Sequence, residues 1–367
     1  MTEAARFFPR IESLRGIACL LVATCHSIIT FQPDTSWSYQ LNPTLLFVFS
    51  GSGAVFLFFV LSGFVLELAL RRMRQKFARK TFTFFIRRVL RIYPVVFVVT
   101  CLAGIGLHYF FPNRSLPLES EWYSHWYPSP LSLKQFLGSL FLLNTEVNHV
   151  VWTLQVELFC SALMPLMHLA NIKLSSVWRL VLLVSLIALA WSGFGPLPFS
   201  FIYMFYLGSL IADAIPTGFA TLQQSKAACA GLLLVACAGW LAANPEGPYP
   251  LDQGRLIYAL ASFAVIGVVA TSQRDSRMLS FLDLPLMRFY GRISYSFYLV
   301  HFLCLYVIAR LLMLAIPGLQ QSSVAAMCLL WMASLVAATG VGTVCYYLVE
   351  RPFIRLGKHL LKTNYES

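Results

Sequence analysis

An all-α polytopic membrane protein, a bundle of about ten transmembrane helices with cytoplasmic N- and C-termini, is the fold class this sequence predicts. Three observations lead there. Of 367 residues, 58% are hydrophobic and 11% charged, and mean hydropathy is +0.72, which leaves too few polar side chains to clothe a soluble fold of this size. Apolar runs of spanning length recur at 13–31, 46–70, 92–111, 150–170, 179–195, 199–215, 227–243, 255–272, 289–313 and 324–349. An even number of spans puts both termini on one side, which then holds every one of the 27 Lys and Arg residues except Arg114, Lys134, Arg255 and Arg310, the asymmetry of a cytoplasmic face. The net charge of +12 thus has a membrane explanation, and no nucleic-acid partner is implied. Residues 1–367 read as a single membrane domain.

The first run carries two residues that are costly in hydrocarbon, Arg15 near its start and His26 deep inside. On a helix they share one stripe, about 16 Å apart in height. An arginine near the edge can snorkel to water, whereas a histidine at that depth has to face protein or a wet cavity. It is either a satisfied core histidine or part of a functional cavity. The polar stretch Met1 to Arg10 and the lack of a small-residue cleavage site mark a retained first span rather than a signal peptide.

In the second run, Phe58-Phe59-Val60-Leu61-Ser62-Gly63-Phe64 lets a neighbouring helix, or a linear ligand chain, approach at Ser62 and Gly63. Glu67 is expected to pair with the arginines that follow. From Arg71 to Arg91 runs the densest charge in the chain, interleaved with Phe77, Phe82, Phe84 and Phe85. It reads as an interfacial helix on anionic membrane lipids or, through Arg88 and Arg91 on one face, as a bidentate phosphate site. The loop at 112–132 holds Trp122, Tyr123, Trp126 and Tyr127, suited to a headgroup belt or to stacking on carbohydrate. The stretch 133–147 is apolar but too short to cross, hence interfacial or re-entrant.

The fourth run descends from outside, so Glu157 reaches the depth of His26 and the two are expected to pair, the carboxylate orienting an imidazole base. Thr153, one turn away, shares its face. Gly193, Pro196 and Pro198 mark a tight turn between the fifth and sixth runs. In the ninth, Ser294, Tyr298 and His301 either form a hydrogen-bonded interhelical core or face a ligand. Glu350 and Arg351, ending the tenth, are expected to reach water and close the bundle. Nine cysteines all fall in apolar runs without C-x-x-C or zinc-ligand spacing, so no disulfide framework and no metal is implied.

In its order of motifs the chain resembles the acyltransferase 3 family. The resemblance covers nearly the whole chain: Leu14-Arg15-Gly16 with His26, Phe-Phe-Val-Leu-Ser-Gly-Phe at 58–64, Arg88 and Arg91 before Ile92-Tyr93-Pro94, Trp152-Thr153-Leu154 with Glu157, Ile293-Ser294-Tyr295-Ser296 with Tyr298 and His301, and Glu350-Arg351-Pro352. It implies a multi-pass protein of a bacterial cytoplasmic membrane that passes an acyl group, usually acetyl from cytosolic acetyl-coenzyme A, to a hydroxyl of a polysaccharide or lipid-linked saccharide at the outer face. Arg15 and His26 match the family's essential arginine and histidine, and Arg88 and Arg91 its paired arginines. Some members append an extracytoplasmic hydrolase-like domain; here such a partner would be a separate protein.

The mechanism these residues suggest has catalytic His26, Glu157 and Arg15. Arg88 and Arg91 hold the donor phosphates, and the pantetheine arm threads past Ser62 and Gly63, with Tyr298 and His301 completing the donor site. An acyl-histidine relay fits the same residues. A macrolide, a peptidoglycan sugar or a lipid are alternative acceptors. A proton-coupled transporter is the rival from another class, disfavoured because no pair of broken helices occupies corresponding halves of the chain.

Overall fold

The computed structural model of the chain describes residues 8–32, 36–106, 119–125, 131–215, 225–243, 253–272, 277–316 and 318–361. Helices follow in the order α1 (Pro9–Ile29), α2 (Ser36–Val48), α3 (Gly51–Arg72), α4 (Phe77–Ile105), α5 (Glu121–His125), α6 (Leu133–Leu140), α7 (Trp152–Lys173), α8 (Ser176–Trp191), α9 (Ile202–Ala214), α10 (Lys226–Ala242), α11 (Gln253–Thr271), α12 (Pro285–Ala315), α13 (Ser323–Cys345) and α14 (Arg351–Leu360). Among the described residues the only extended pairing is an isolated antiparallel bridge between Phe31 and Glu119.

Among the described residues, eight helical stretches are long and apolar enough to cross a membrane. Helices α8 and α10, at 16 and 17 residues, are shorter but equally apolar and occupy two of the ten expected positions. The chain is an all-α polytopic membrane protein. Two boundaries differ from expectation. The basic run does not form a separate interfacial helix: α4 starts at Phe77 and continues unbroken for 29 residues, Pro94 included, because phenylalanines between the arginines give the run an apolar face that extends the span. Helix α2 was not expected, since its polar start hides the helical period. Helix α6 is short, as expected, with a Ser132–Gln135 capping box and exposed Leu133 and Leu137.

Without a hydrophobic force to drive helix against helix in lipid, close approach depends on small residues. Gly63 of α3 lies against the Phe205 carbonyl of α9, and Gly208 of α9 against the Val60 carbonyl of α3, so a Cβ at either position would strike backbone. Gly16 of α1 and Gly291 of α12 make a second such crossing; a Cβ on Gly16 would lie 2.6 Å from the Gly291 nitrogen. Gly63 therefore serves helix packing, the first of the two uses its sequence context suggested, and is not among the residues lining the slot beside Ser62.

At the end of the bundle where the arginines gather, a set of polar contacts joins the helices. Arg10 donates to Asp283 Oδ2 from Nη2 at 2.6 Å and from Nε at 2.9 Å, while Ser13 Oγ donates to the Leu282 carbonyl at 2.6 Å. Glu67, fully buried, accepts from Arg71 Nε at 2.7 Å, as expected, and lies 3.0 Å from His168 Nδ1. Asp213 bridges Arg71 and Arg179 at 2.6 and 2.8 Å. Amphipathic α14 runs along α4, with Arg87 Nη2 donating to the Leu361 carbonyl at 2.8 Å.

Candidate active site

Two cavities open on the face of α1 that carries Arg15. The larger, about 450 Å³, lies at the arginine-rich end between α1, α3, α4 and α14. Arg15, Arg72, Arg87, Arg88, Arg91 and Lys358 line it, with Glu12 as the one carboxylate and Phe8, Phe64, Val65 and Leu68 as apolar wall. Its size is that of an ordinary small-ligand site, and its charge suits a polyanion. The smaller cavity, a slot of about 40 Å³, also borders Arg15. Its lining brings together Ser62, Thr153, Glu157, Ser294 and Tyr298 with Val55, Phe58 and Phe59. Arg15 is thus common to a basic chamber and a narrow, largely apolar slot.

Helix α7 supplies the slot's polar stripe. Thr153, Glu157 and Ser161 follow at four-residue intervals and so face one way. Glu157 Oε1 forms an ion pair with Arg88 Nη2 and accepts from Ser62 Oγ at 3.3 Å, while Arg88 Nε donates to Ser161 Oγ at 3.1 Å. The Thr153 and Tyr298 hydroxyls lie 3.1 Å apart. Arg88 was expected to be open to phosphate, but it is buried and its guanidinium is committed in part to Glu157. Arg91 of the same helix is half-buried and lines the basic chamber.

His26 lies deeper along α1, away from both linings, and its partner is not Glu157. Its Nδ1 is 3.0 Å from His301 Nε2, the rings nearly parallel at 19° with centroids 5.1 Å apart. His301 Nδ1 in turn meets the Tyr298 carbonyl at 2.5 Å. Matched depth did predict a partner for His26, but the bundle satisfies that need from α12, since Arg88 provides the stronger, ionic partner for the carboxylate. His301 is correspondingly a neighbour of His26 and lines neither the basic chamber nor the slot. Glu350 also departs from expectation: it is buried and accepts from Ser296 Oγ at 2.7 Å.

Trp122 of α5 lies against His26 with ring centroids 5.1 Å apart, and Phe302 meets His26 edge-on at 5.5 Å. Tyr123 is buried, stacked on Tyr306 at 5.7 Å. These two loop aromatics therefore turn into the bundle rather than out to a headgroup belt; Trp126 and Tyr127 fall outside the described residues. His26 keeps intermediate exposure under this aromatic cover. Sequence reasoning missed Ser161, Arg72, Arg87 and Lys358. Ser161 could have been found from its four-residue spacing to Glu157, whereas the others are brought in by α14 and by the depth of the chamber.

Taken as chemistry, the arrangement offers a cationic chamber at one end, a slot leading away from its shared arginine, and a paired, partly accessible imidazole about 16 Å further along α1. A family model described as an acyltransferase domain matches residues 8–349. Acyltransferase MdmB of Streptomyces mycarofaciens is 25% identical over 382 aligned residues, covering 95% of this chain and 92% of that protein. A protein of Acidianus two-tailed virus that bears an acetyltransferase name is 31% identical over 187 residues, so that match spans about half of each chain, 51% and 47%. No solved structure matches.

Proposed function

The chain belongs to the acyltransferase-domain family, and on that premise we propose that it passes an acyl group, usually acetyl, from cytosolic acyl-coenzyme A to a hydroxyl of a polysaccharide or lipid-linked saccharide at the extracytoplasmic face of a bacterial cytoplasmic membrane. The basic chamber carries this reading. Six cationic side chains and an apolar wall around 450 Å³ fit a donor whose one end is phosphorylated and whose other end is a neutral arm, and this is what sets acyl-coenzyme A apart from a simple anion. Arg91, Arg87, Arg72 and Lys358, which line the chamber, hold the phosphates; Arg15, shared with the slot, guides the arm into it.

His26 then acts as general base. It takes the proton of the acceptor hydroxyl as the oxygen bonds to the acyl carbon, and it returns that proton to the sulfur as the C–S bond breaks. The aromatic cover of Trp122 and Phe302 keeps bulk water from competing for the acyl group. Glu157 serves to hold Arg88 and Ser62 in place beneath the slot, a structural part in the mechanism. Termini and basic chamber lie on the cytoplasmic side in this reading, by the distribution of Lys and Arg.

The test uses purified protein in proteoliposomes of known orientation, with acetyl-coenzyme A inside or outside and a saccharide acceptor on the opposite face. Free coenzyme A should appear only with acceptor present and only with donor on the face that carries α14. His26→Ala should lower transfer by about 10² to 10⁴ without loss of the folded protein. Transfer that needs both substrates on the α14 face would refute the through-membrane path, and His26→Ala at parent rate would refute the base.

A further inference from the structure

The histidine pair carries more information than its distance. A carbonyl oxygen can only accept a hydrogen bond, so the contact from His301 Nδ1 to the Tyr298 carbonyl, 2.5 Å, places the proton of neutral His301 on Nδ1. His301 Nε2 is then a lone pair, and the atom 3.0 Å away, His26 Nδ1, has to be the donor. The remaining nitrogen of His26, Nε2, is left with the lone pair that a base requires. His301 is buried, lies parallel to Phe297 at 6.2 Å and has Phe302 beside it, surroundings that keep it neutral and the tautomer single.

Resting on the acyl-transfer reading above, we propose that His301 is a positioning residue: through the chain Tyr298 carbonyl, His301, His26 it fixes the tautomer of His26 and makes His26 Nε2 the atom that takes the acceptor's proton. When His26 becomes cationic its Nδ1–H still points at an acceptor, so the charged form is supported while the ring holds its orientation. The role usually given to a carboxylate is filled by a second imidazole, because the carboxylate at hand, Glu157, is engaged by Arg88 and Ser62.

Three substitutions test the relay in reconstituted protein with acetyl-coenzyme A and a saccharide acceptor. A glutamine side chain can place its carbonyl oxygen where His301 Nε2 sits, whereas asparagine reaches only the Nδ1 position and leucine offers no acceptor. His301→Gln should keep kcat within about tenfold of the parent, while His301→Asn and His301→Leu should each lose on the order of 10² or more in kcat. The KM for acetyl-coenzyme A should stay within about threefold in all three, since the donor chamber does not include residue 301. Melting temperatures identify any variant that fails to fold, and the polar Gln and Asn pair alone still discriminates if the leucine form does. The relay is overturned if Gln and Asn lose activity equally, if neither does, or if the loss falls on the donor KM. A parent protein that transfers no acyl group from acyl-coenzyme A sinks the functional reading itself, and the relay with it.

Discussion

Arg88 and Arg91 look alike in the chain, three residues apart on one helix face, but burial separates their duties. Arg88 is buried against Glu157 and Ser161, so its removal strands a carboxylate in the bundle, a loss of about 3–5 kcal/mol in comparable buried pairs. Arg91 lines the basic chamber at intermediate exposure, where a lost charge-assisted phosphate contact costs about 1.5–3 kcal/mol of binding. Arg88→Ala is therefore expected to lower the melting temperature markedly, and Arg91→Ala to raise the donor KM at nearly unchanged melting temperature. Thermal unfolding in detergent alongside donor titration checks both. Equal effects of the two substitutions on both readouts would contradict the division.

Among the helices, the α3–α9 crossing holds the wall of the slot, since Ser62, Phe58 and Phe59 are on α3 next to the glycine contact. Backbone meets backbone there, and no side-chain rotamer can relieve a new Cβ. Gly208→Ala should therefore destabilise by at least the about 1–3 kcal/mol typical of overpacking, and it should widen or skew the slot. Gly231 of α10, with open space around its would-be Cβ, is the control: Gly231→Ala should leave stability unchanged or raise it by about 0.5–1 kcal/mol. Melting temperatures of the two variants decide it; similar values would mean that α3 and α9 separate easily.

At the scale of the whole molecule, the first helix is fastened to the turn before α12 by Arg10 and Asp283. The Asp283 carboxyl, outside the spans, is held below its ordinary range, first by the hydrogen bond from Arg10 and further by Arg288. A carboxylate with a lowered folded-state pKa contributes its stability above the unfolded value, about 3.9, and loses it as pH falls through the folded one. The parent should thus be more stable than Asp283→Asn at neutral pH, with the gap in melting temperature closing as pH drops below about 4. A gap that persists to the lowest pH at which the protein stays folded would assign the difference to something other than this ion pair.

Helix class, the positions of the ten apolar runs and the family were legible in the chain, because lipid forces each span to satisfy its own backbone and to advertise itself as an uninterrupted apolar stretch. The stripe of Arg15 and His26, the pairing of Glu67 with Arg71 and the turn between α8 and α9 were legible for a related reason: each depends on spacing within one helix or between neighbours in sequence. Partner choice was not. His26 could have met Glu157 or His301 at equal depth, and Ser62 and Gly63, adjacent in sequence, could both have faced a ligand. Which helix stands beside which, and how each is rotated about its axis, decided that Glu157 belongs to Arg88, that His26 belongs to His301, and that Gly63 faces α9 while Ser62 faces the slot. Depth is written in one helix at a time, but azimuth is set only when the small-residue crossings lock helices together, and the chemistry of this site depends on azimuth.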